Sequence, residues 1–151
     1  MTPADDRPFL GRGWSFPPTF DRDIPGVRML EQEADVVSSL HILLSTARGE
    51  RIMVPQYGCN LEELVFENLD TRMRTLMADK VATAILYHEP RIHLEKVTVA
   101  DDPNEQGRVL IGVTYRVRAT NSRYNFVFPY YRHEGTDINL TTTVQLLPEE
   151  R

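Results

Sequence analysis

The hydrophobic period of this chain changes at Pro90, and this change limits the possible folds more than any other feature. Before Pro90 the apolar residues recur at the spacing of a helix, and after it they alternate as in strands. Pro90 also disfavours helical geometry at the preceding residue, Glu89, so the last helix should end there. Helices followed by strands, joined by short turns, predict an α+β domain in which two main helices pack against an antiparallel β-meander.

The two predicted helices each carry one apolar face. The first covers residues 32–47, with Gly49 as its candidate C′ residue. The second covers residues 71–88 and begins at a cap formed by Asp70 or Thr71. Its apolar stripe consists of Met73, Leu76, Met77, Val81, Ala84 and Ile85.

The segment between the helices holds two smaller signals. Asn60 and Glu63 have the spacing of a capping box, which predicts a short helix from Leu61 onward. Cys59 lies in a predicted turn without the flanking residues of a catalytic nucleophile. We therefore interpret Cys59 as a small buried residue.

Three strands and an alternating tail follow the helices. The apolar phase slips between Leu94 and Val97, which predicts a β-bulge in the first strand. Residues 108–119 alternate regularly and form the second strand. The third strand contains Pro129, which cannot donate to a ladder, so it is predicted at a sheet edge. Residues 137–147 alternate again and predict an extra C-terminal strand.

The chain divides into three predicted parts. Residues 1–30 carry five of the ten prolines and no sustained periodicity, so they are predicted to form an extended N-terminal arm. The core domain covers residues 31–131, and residues 132–151 form the C-terminal strand or tail. Trp14 and Phe16 in the arm are too apolar for a solvated tail, and they cover either the domain's own core or a neighbour's surface.

Charge and hydropathy exclude several classes of partner. The net charge is −5, and nucleic-acid binding requires a basic face. No apolar run approaches the roughly 20 residues of a membrane span, so no membrane insertion is expected. The acidic, proline-bearing start differs from a signal peptide, and a single cysteine is typical of a reducing compartment. We expect the chain to be cytoplasmic when synthesised.

The residues do not form a recognisable catalytic, metal or cofactor site. His88 and His93 lie five positions apart across a proline and have no cysteine pair beside them, so no metal site is predicted. No nucleophile elbow and no phosphate-binding glycine loop occurs. Glycoside hydrolysis requires two carboxyls about 5 to 10 Å apart across a cleft. Acidic residues are abundant here, but the sequence shows no cleft, so we expect no enzyme, cofactor or metal.

The remaining signal is the triplet Glu89-Pro90-Arg91 at the predicted helix-to-strand corner. A carboxylate at a helix C-terminus faces the negative end of the macrodipole, so its presence there needs a reason. One interpretation is a pair within the chain, worth up to about 1 kcal/mol if exposed. The other is a rigid two-charge clamp for another subunit, in which case charge reversal should leave the isolated fold nearly unchanged. The residues alone favour neither.

Four segments, in order, carry a resemblance to a known family. They are "FLGRGWSFPPTF", "LHILLSTARGERIMVPQYGCNLEELVFENLD", "HEPRIHLEKVTV" and "GVTYRVRATNSRYNFVFPYY". Together they resemble the baseplate wedge proteins of contractile phage tails and related injection machines, the gene-25-product family, which is sometimes labelled lysozyme-like. The resemblance covers roughly residues 9–131.

This resemblance implies a structural subunit, six to a baseplate, that links the wedge to the first sheath ring and templates sheath polymerisation by strand pairing. It implies wedge and sheath subunits as partners, with tube or hub proteins as further candidates, and incorporation into the baseplate of a tail-like particle. Glu89, Pro90 and Arg91 would dock onto the wedge core bundle. The candidates for strand pairing with the sheath are Phe126, Phe128, Tyr130, Tyr131, Leu140 and Val144. The alternatives are a peptidoglycan hydrolase, as the label suggests, and a free-standing binding module.

Overall fold

The computed structural model describes residues 11–20, 22–23, 25–64 and 68–131. These residues form two helices, a short 3₁₀ turn, a two-stranded hairpin and a three-stranded sheet. The elements in chain order are β1 (Arg12–Trp14), β2 (Met29–Glu31), α1 (Gln32–Ser45), the 3₁₀ turn (Glu62–Leu64), α2 (Thr71–His88), β3 (Ile92–Asp101), β4 (Arg108–Val117) and β5 (Arg123–Tyr131). The predicted α+β fold class is confirmed.

Helix α2 has the limits that its sequence predicts. The Asp70 carboxylate accepts a hydrogen bond from the Met73 N–H at 2.7 Å, so Asp70 is the N-cap. At the other end the Glu89 N–H still donates to the Ile85 carbonyl at 2.9 Å, and Pro90 stops the helix. One position of the predicted stripe is wrong, because the side chain of Leu76 is 41% exposed.

Helix α1 ends earlier than predicted, and Gly49 is not its terminator. Its C-cap is Thr46 in an extended conformation, whose hydroxyl donates to the Ile42 carbonyl at 2.7 Å. Gly49 lies in the following turn, where its φ is 89° and its N–H donates to the Pro55 carbonyl. A positive φ favours glycine. Gly49 is therefore required by the loop that follows α1, and it does not mark the end of the helix.

The predicted capping box between the helices forms a different contact. The Asn60 amide donates to Glu63 at 2.8 Å and accepts from the Arg48 N–H at 2.9 Å. Asn60 therefore ties the loop after α1 to the 3₁₀ turn, which replaces the short helix in the described residues 61–64.

The three long strands form an antiparallel sheet in the order β3-β4-β5. The register shifts between Leu94 and Lys96, which confirms the predicted bulge. Strand β5 pairs with β4 along its whole length and has no second strand neighbour in the described part of the chain, which confirms the edge position. The face of β4 that points to the helices is fully buried and consists of Val109, Ile111, Val113, Tyr115 and Val117.

The core lies between this face and the two helices. Helix α1 contributes Val36, Leu40, Leu43 and Leu44, and α2 contributes Met77, Val81, Ala84 and Ile85. Cys59 is buried at the edge of the core, as predicted.

The N-terminal arm contains a hairpin that the sequence did not predict. Strand β1 pairs with β2 in the register Arg12 to Glu31, and β2 leads directly into α1. The arm is therefore attached to the start of the core domain. The predicted C-terminal strand, residues 137–147, lies outside the described residues.

Candidate docking site at the helix-to-strand corner

Glu89 and Arg91 form a bidentate ion pair at the corner between α2 and β3. The Arg91 Nε–H donates to Glu89 Oε1 at 2.6 Å, and Arg91 Nη2 donates to Glu89 Oε2 at 2.7 Å. Glu89 is 3% exposed, so its carboxylate is held inside the protein by this pair. Two parallel N–H···O bonds fix the relative orientation of both side chains.

A third residue completes this network from the other helix. Arg91 Nη1 donates to Asp35 Oδ2 at 2.6 Å, although Asp35 lies 56 residues earlier, in the first turn of α1. The hydrogen bonds to Glu89, and less strongly those to Asp35, raise the pKa of Arg91, while burial opposes them. Arg91 therefore remains charged and joins the end of α2 to the start of α1.

The arm lies against this network at Gly13. A Cβ atom on Gly13 would clash with the Asp35 carboxylate, whereas one on Gly11 would lie in ordinary contact, 3.4 Å from Arg91 Nη1. Strand β1 can therefore approach Asp35 this closely only because residue 13 has no side chain. Sequence reasoning missed Gly13 and Asp35, and the only local signal was the Gly-Arg-Gly spacing in the arm.

The predicted strand-pairing residues divide into three groups. The rings of Phe126 and Phe128 are buried in the core, so they are not available to a partner's side chains. Tyr130 is half-buried, and Tyr131 is exposed and accepts a hydrogen bond from Arg108 Nη1 at 3.3 Å. Leu140 and Val144 lie outside the described residues. The part of β5 that faces outward is its backbone edge.

The two arm rings differ in how they contact the domain. Trp14 is 63% exposed, and Phe16 is half exposed although it contacts the ring of His41 at a centroid distance of 5.8 Å. The own-core interpretation is therefore wrong for Trp14. Its other predicted contact, a neighbour's surface, stays a prediction.

Histidines, carboxylates and the cysteine were the other candidates for chemistry in the described part of the chain. Among the described residues, no three His, Cys, Asp or Glu side chains are grouped so that they could hold a metal ion. Burial raises the pKa of the Cys59 thiol to about 11, so at neutral pH it is not a thiolate nucleophile. No helix in the described ranges combines the length and the apolar character that crossing a membrane requires.

The model of a family described as baseplate wedge protein gp25 matches residues 30–122. The baseplate wedge protein gp25 of Enterobacteria phage T4 is 30% identical over 64 residues, which cover 42% of this chain and 48% of that protein. The match thus spans about half the length of this relative.

Two solved structures share the fold over most of the chain. A Geobacter sulfurreducens protein, named as a candidate tail lysozyme, is 42% identical with a TM-score of 0.65. Its alignment covers 71% of this chain and 97% of that one. A chain of the anti-feeding prophage baseplate is 34% identical with a TM-score of 0.68, and its alignment covers 72% and 86% of the two chains.

Proposed function

Because the chain belongs to the family of baseplate wedge protein gp25, we propose that it links the wedge of a contractile tail or injection system to the first sheath ring. In this role it is a non-enzymatic subunit that templates sheath polymerisation by strand pairing. It is made in the cytoplasm and incorporated into the baseplate of a tail-like particle, with six copies expected. Its partners are the other wedge subunits and the sheath, with tube or hub proteins as further neighbours.

The edge position of β5 carries the sheath part of this proposal. Strand β5 is nine residues long and pairs with β4 from Arg123 to Tyr131. The backbone N–H and C=O groups on its other side point away from the sheet and can accept a strand from a neighbour. Since Phe126 and Phe128 face the core, they hold β5 in place while its backbone recruits the sheath strand.

The corner carries the wedge part of the proposal. Glu89, Pro90 and Arg91 dock onto the helical core bundle of the other wedge subunits. The two charged side chains are paired within the chain, so they shape the corner, and Pro90 is exposed at its surface. A corner that is already rigid loses little conformational entropy when it binds.

Hydrogen exchange tests the strand-pairing proposal without any substitution. The outward backbone amides of β5 should exchange in the isolated chain and become protected in sheath-bearing particles. The amides of the central strand β4 serve as the internal control, because they are paired on both sides in either state. Equal exchange of the β5 amides in the two states would show that no strand is added to this edge.

The hydrolase alternative has one observation in its favour, the relative named as a candidate tail lysozyme. The purified chain should release no dye from labelled peptidoglycan. Release of dye that one carboxylate substitution abolishes, in a variant that remains folded, would establish the alternative.

A further inference from the structure

The free edge of β5 exposes the backbone groups of every second residue. The Val117 N–H donates to the Ser122 carbonyl at 2.9 Å, and these two residues form the next pair after Arg116 and Arg123 in the ladder between β4 and β5. Hydrogen-bonded and non-hydrogen-bonded pairs alternate along an antiparallel ladder. Arg123 and each second residue after it therefore direct their N–H and C=O groups away from β4.

Pro129 belongs to this outward set and interrupts it. The outward residues are Arg123, Asn125, Val127, Pro129 and Tyr131. A proline has no N–H, so the free edge lacks a donor at residue 129. An added strand therefore finds a donor and an acceptor at every outward position only between Arg123 and Val127.

The side chains of the same outward residues lie on the outer face of the sheet, because the residues between them face the core. Arg123 is paired with Arg116 of β4, and Asn125 is paired with Thr114. Lys96 of β3 is paired with Thr114 from the other side, so its side chain lies on this face as well. A strand added to β5 would extend these rows across the outer face.

The usable part of the edge has a positive end and an apolar end. The Glu95 carboxylate lies between the guanidinium groups of Arg116 and Arg123, at N–O distances of 3.0 and 2.8 Å. Lys96 is exposed one row further along, so in the described strands three cations stand against one carboxylate at this end. At the other end Val127 is 45% exposed and is paired with Gly112.

We propose that the strand received by this edge carries a carboxylate side chain opposite Arg123 and an apolar side chain opposite Val127. This inference rests on the proposed strand pairing and names the chemistry that the sheath strand supplies. Residues directly opposite each other in a ladder share a face, so opposite charges there stabilise the pairing and like charges oppose it. Arg123 therefore selects the strand and sets its register, because a slip of two residues would move the carboxylate away from the guanidinium.

Hydrogen exchange at single-residue resolution tests the register. In sheath-bearing particles the amides of Arg123, Asn125 and Val127 should become protected, whereas the amide of Tyr131, beyond Pro129, should exchange as in the isolated chain. Equal protection of Tyr131 would show that the strand pairs past Pro129, and the proposed register would be wrong.

Three substitutions test the charge in titrations of the full-length chain with the purified sheath subunit of the same particle. Arg123→Gln should weaken binding about three- to fivefold and reduce the dependence of the affinity on sodium chloride concentration, because a screened ion pair is lost. Arg123→Lys keeps the charge and should retain the salt dependence of the wild type. Arg74→Gln is the matched control, since it removes an ion pair with Asp101 away from the free edge, and should change binding by less than about twofold.

The outcomes separate this inference from the proposed function. If the wild type does not bind the sheath subunit, both are wrong. If the wild type binds and Arg123→Gln binds equally well with the same salt dependence, Arg123 does not select the strand, although the strand pairing stands. If Arg123→Gln lowers the Tm of the isolated chain and weakens binding without changing the salt dependence, Arg123 only stabilises the sheet, and the inference is overturned.

Discussion

Both carboxylate oxygens of Glu89 accept hydrogen bonds from the guanidinium of Arg91, at 2.6 and 2.7 Å, in a corner where Glu89 is almost fully buried. This pair explains why a carboxylate stands at a helix C-terminus, since the cation two residues later offsets the unfavourable end of the macrodipole. Asp35 adds a second anion to Arg91 and thereby joins α1 to the corner. The pair within the chain therefore exists, and any docking uses a corner that this pair has already shaped.

Replacing Glu89 should destabilise the isolated chain. Glu89→Gln leaves Arg91 with one anion in a partly buried site, so we expect the free energy of unfolding to fall by about 2 to 4 kcal/mol. Urea denaturation measures it. Glu31→Gln is the matched control, because it removes an exposed pair with Arg12 and should cost less than about 0.5 kcal/mol. This expectation replaces the one drawn from the sequence, in which charge reversal at the corner leaves the fold nearly unchanged.

A loss of less than about 1 kcal/mol in Glu89→Gln would contradict this burial argument. It would mean that solvent screens the pair. Both charges would then be available to another subunit, as the clamp interpretation predicts.

Gly13→Ala should loosen the arm from the corner. The new Cβ would meet the Asp35 carboxylate, so β1 or Asp35 must shift, at a cost of about 1 to 3 kcal/mol. Hydrogen exchange should show faster exchange in β1 and at the start of α1. The substitution Asp35→Ala removes the obstacle, so the double variant should lose less stability than the sum of the two single variants.

Arg12, next to Gly13, provides the control for the single and double variants of Gly13 and Asp35. Arg12→Ala lies in the same strand but removes only an exposed ion pair, so it should leave exchange in α1 unchanged. If the losses in the free energy of unfolding of the Gly13 and Asp35 variants add up in the double variant, the two residues are not energetically coupled, and the steric argument is wrong.

The parts of the fold that depend on local signals could be predicted from the sequence. The change of period at Pro90 separated helices from strands, the Asp70 cap fixed the start of α2, and the phase slip after Leu94 located the bulge. Pro129 indicated correctly that β5 is an edge strand of the sheet that the described residues form. The family resemblance is confirmed by the match over residues 30–122. Each of these features acts over a few residues, so it remains visible in a linear pattern.

The features that were missed depend on distant contacts. The hairpin of β1 and β2 has three residues in each strand, too few for alternation to appear. The contact between Asp35 and Arg91 spans 56 residues, and the buried Glu89 is bound to this same Arg91. Charged residues are usually exposed, so the sequence alone gave no sign that Glu89 is buried.

The stability of the chain should fall in mildly alkaline solution because of Cys59. Burial raises the pKa of its thiol from 9.0 to about 11. Between these values the unfolded chain loses the proton and the folded chain keeps it, so the folded state binds more protons and the free energy of unfolding decreases with pH. The decrease should reach about 2 kcal/mol by pH 11 and be negligible below about pH 8. In Cys59→Ala the free energy of unfolding should not show this decrease with pH. The other titrating groups are the same in both proteins, so the difference between the two curves isolates Cys59.

Thiol labelling checks the same burial independently. Since Cys59 is the only cysteine, DTNB reports on it alone. Labelling of the folded chain at pH 8 should be slow and should accelerate with urea along the unfolding curve. Immediate labelling of the native chain would contradict both predictions.

The exposed indole of Trp14 should become buried when the chain joins a larger assembly. Trp14 is the only tryptophan of this chain, so in the isolated chain the tryptophan fluorescence reports on the arm alone, and in a particle it is obtained as the difference from particles that carry Trp14→Phe. At 63% exposure it should emit at long wavelength and be readily quenched by acrylamide in the isolated chain. Contact with a neighbouring subunit should shift the emission to shorter wavelength and protect the ring, because tryptophan is a preferred anchor at protein interfaces.

Phe16→Ala is the control variant, since it removes the arm's contact with His41 while leaving the indole in place. Unchanged emission and quenching of wild-type Trp14 in the assembled particle would show that the arm's rings have no neighbour, and would remove the arm from the set of interaction surfaces.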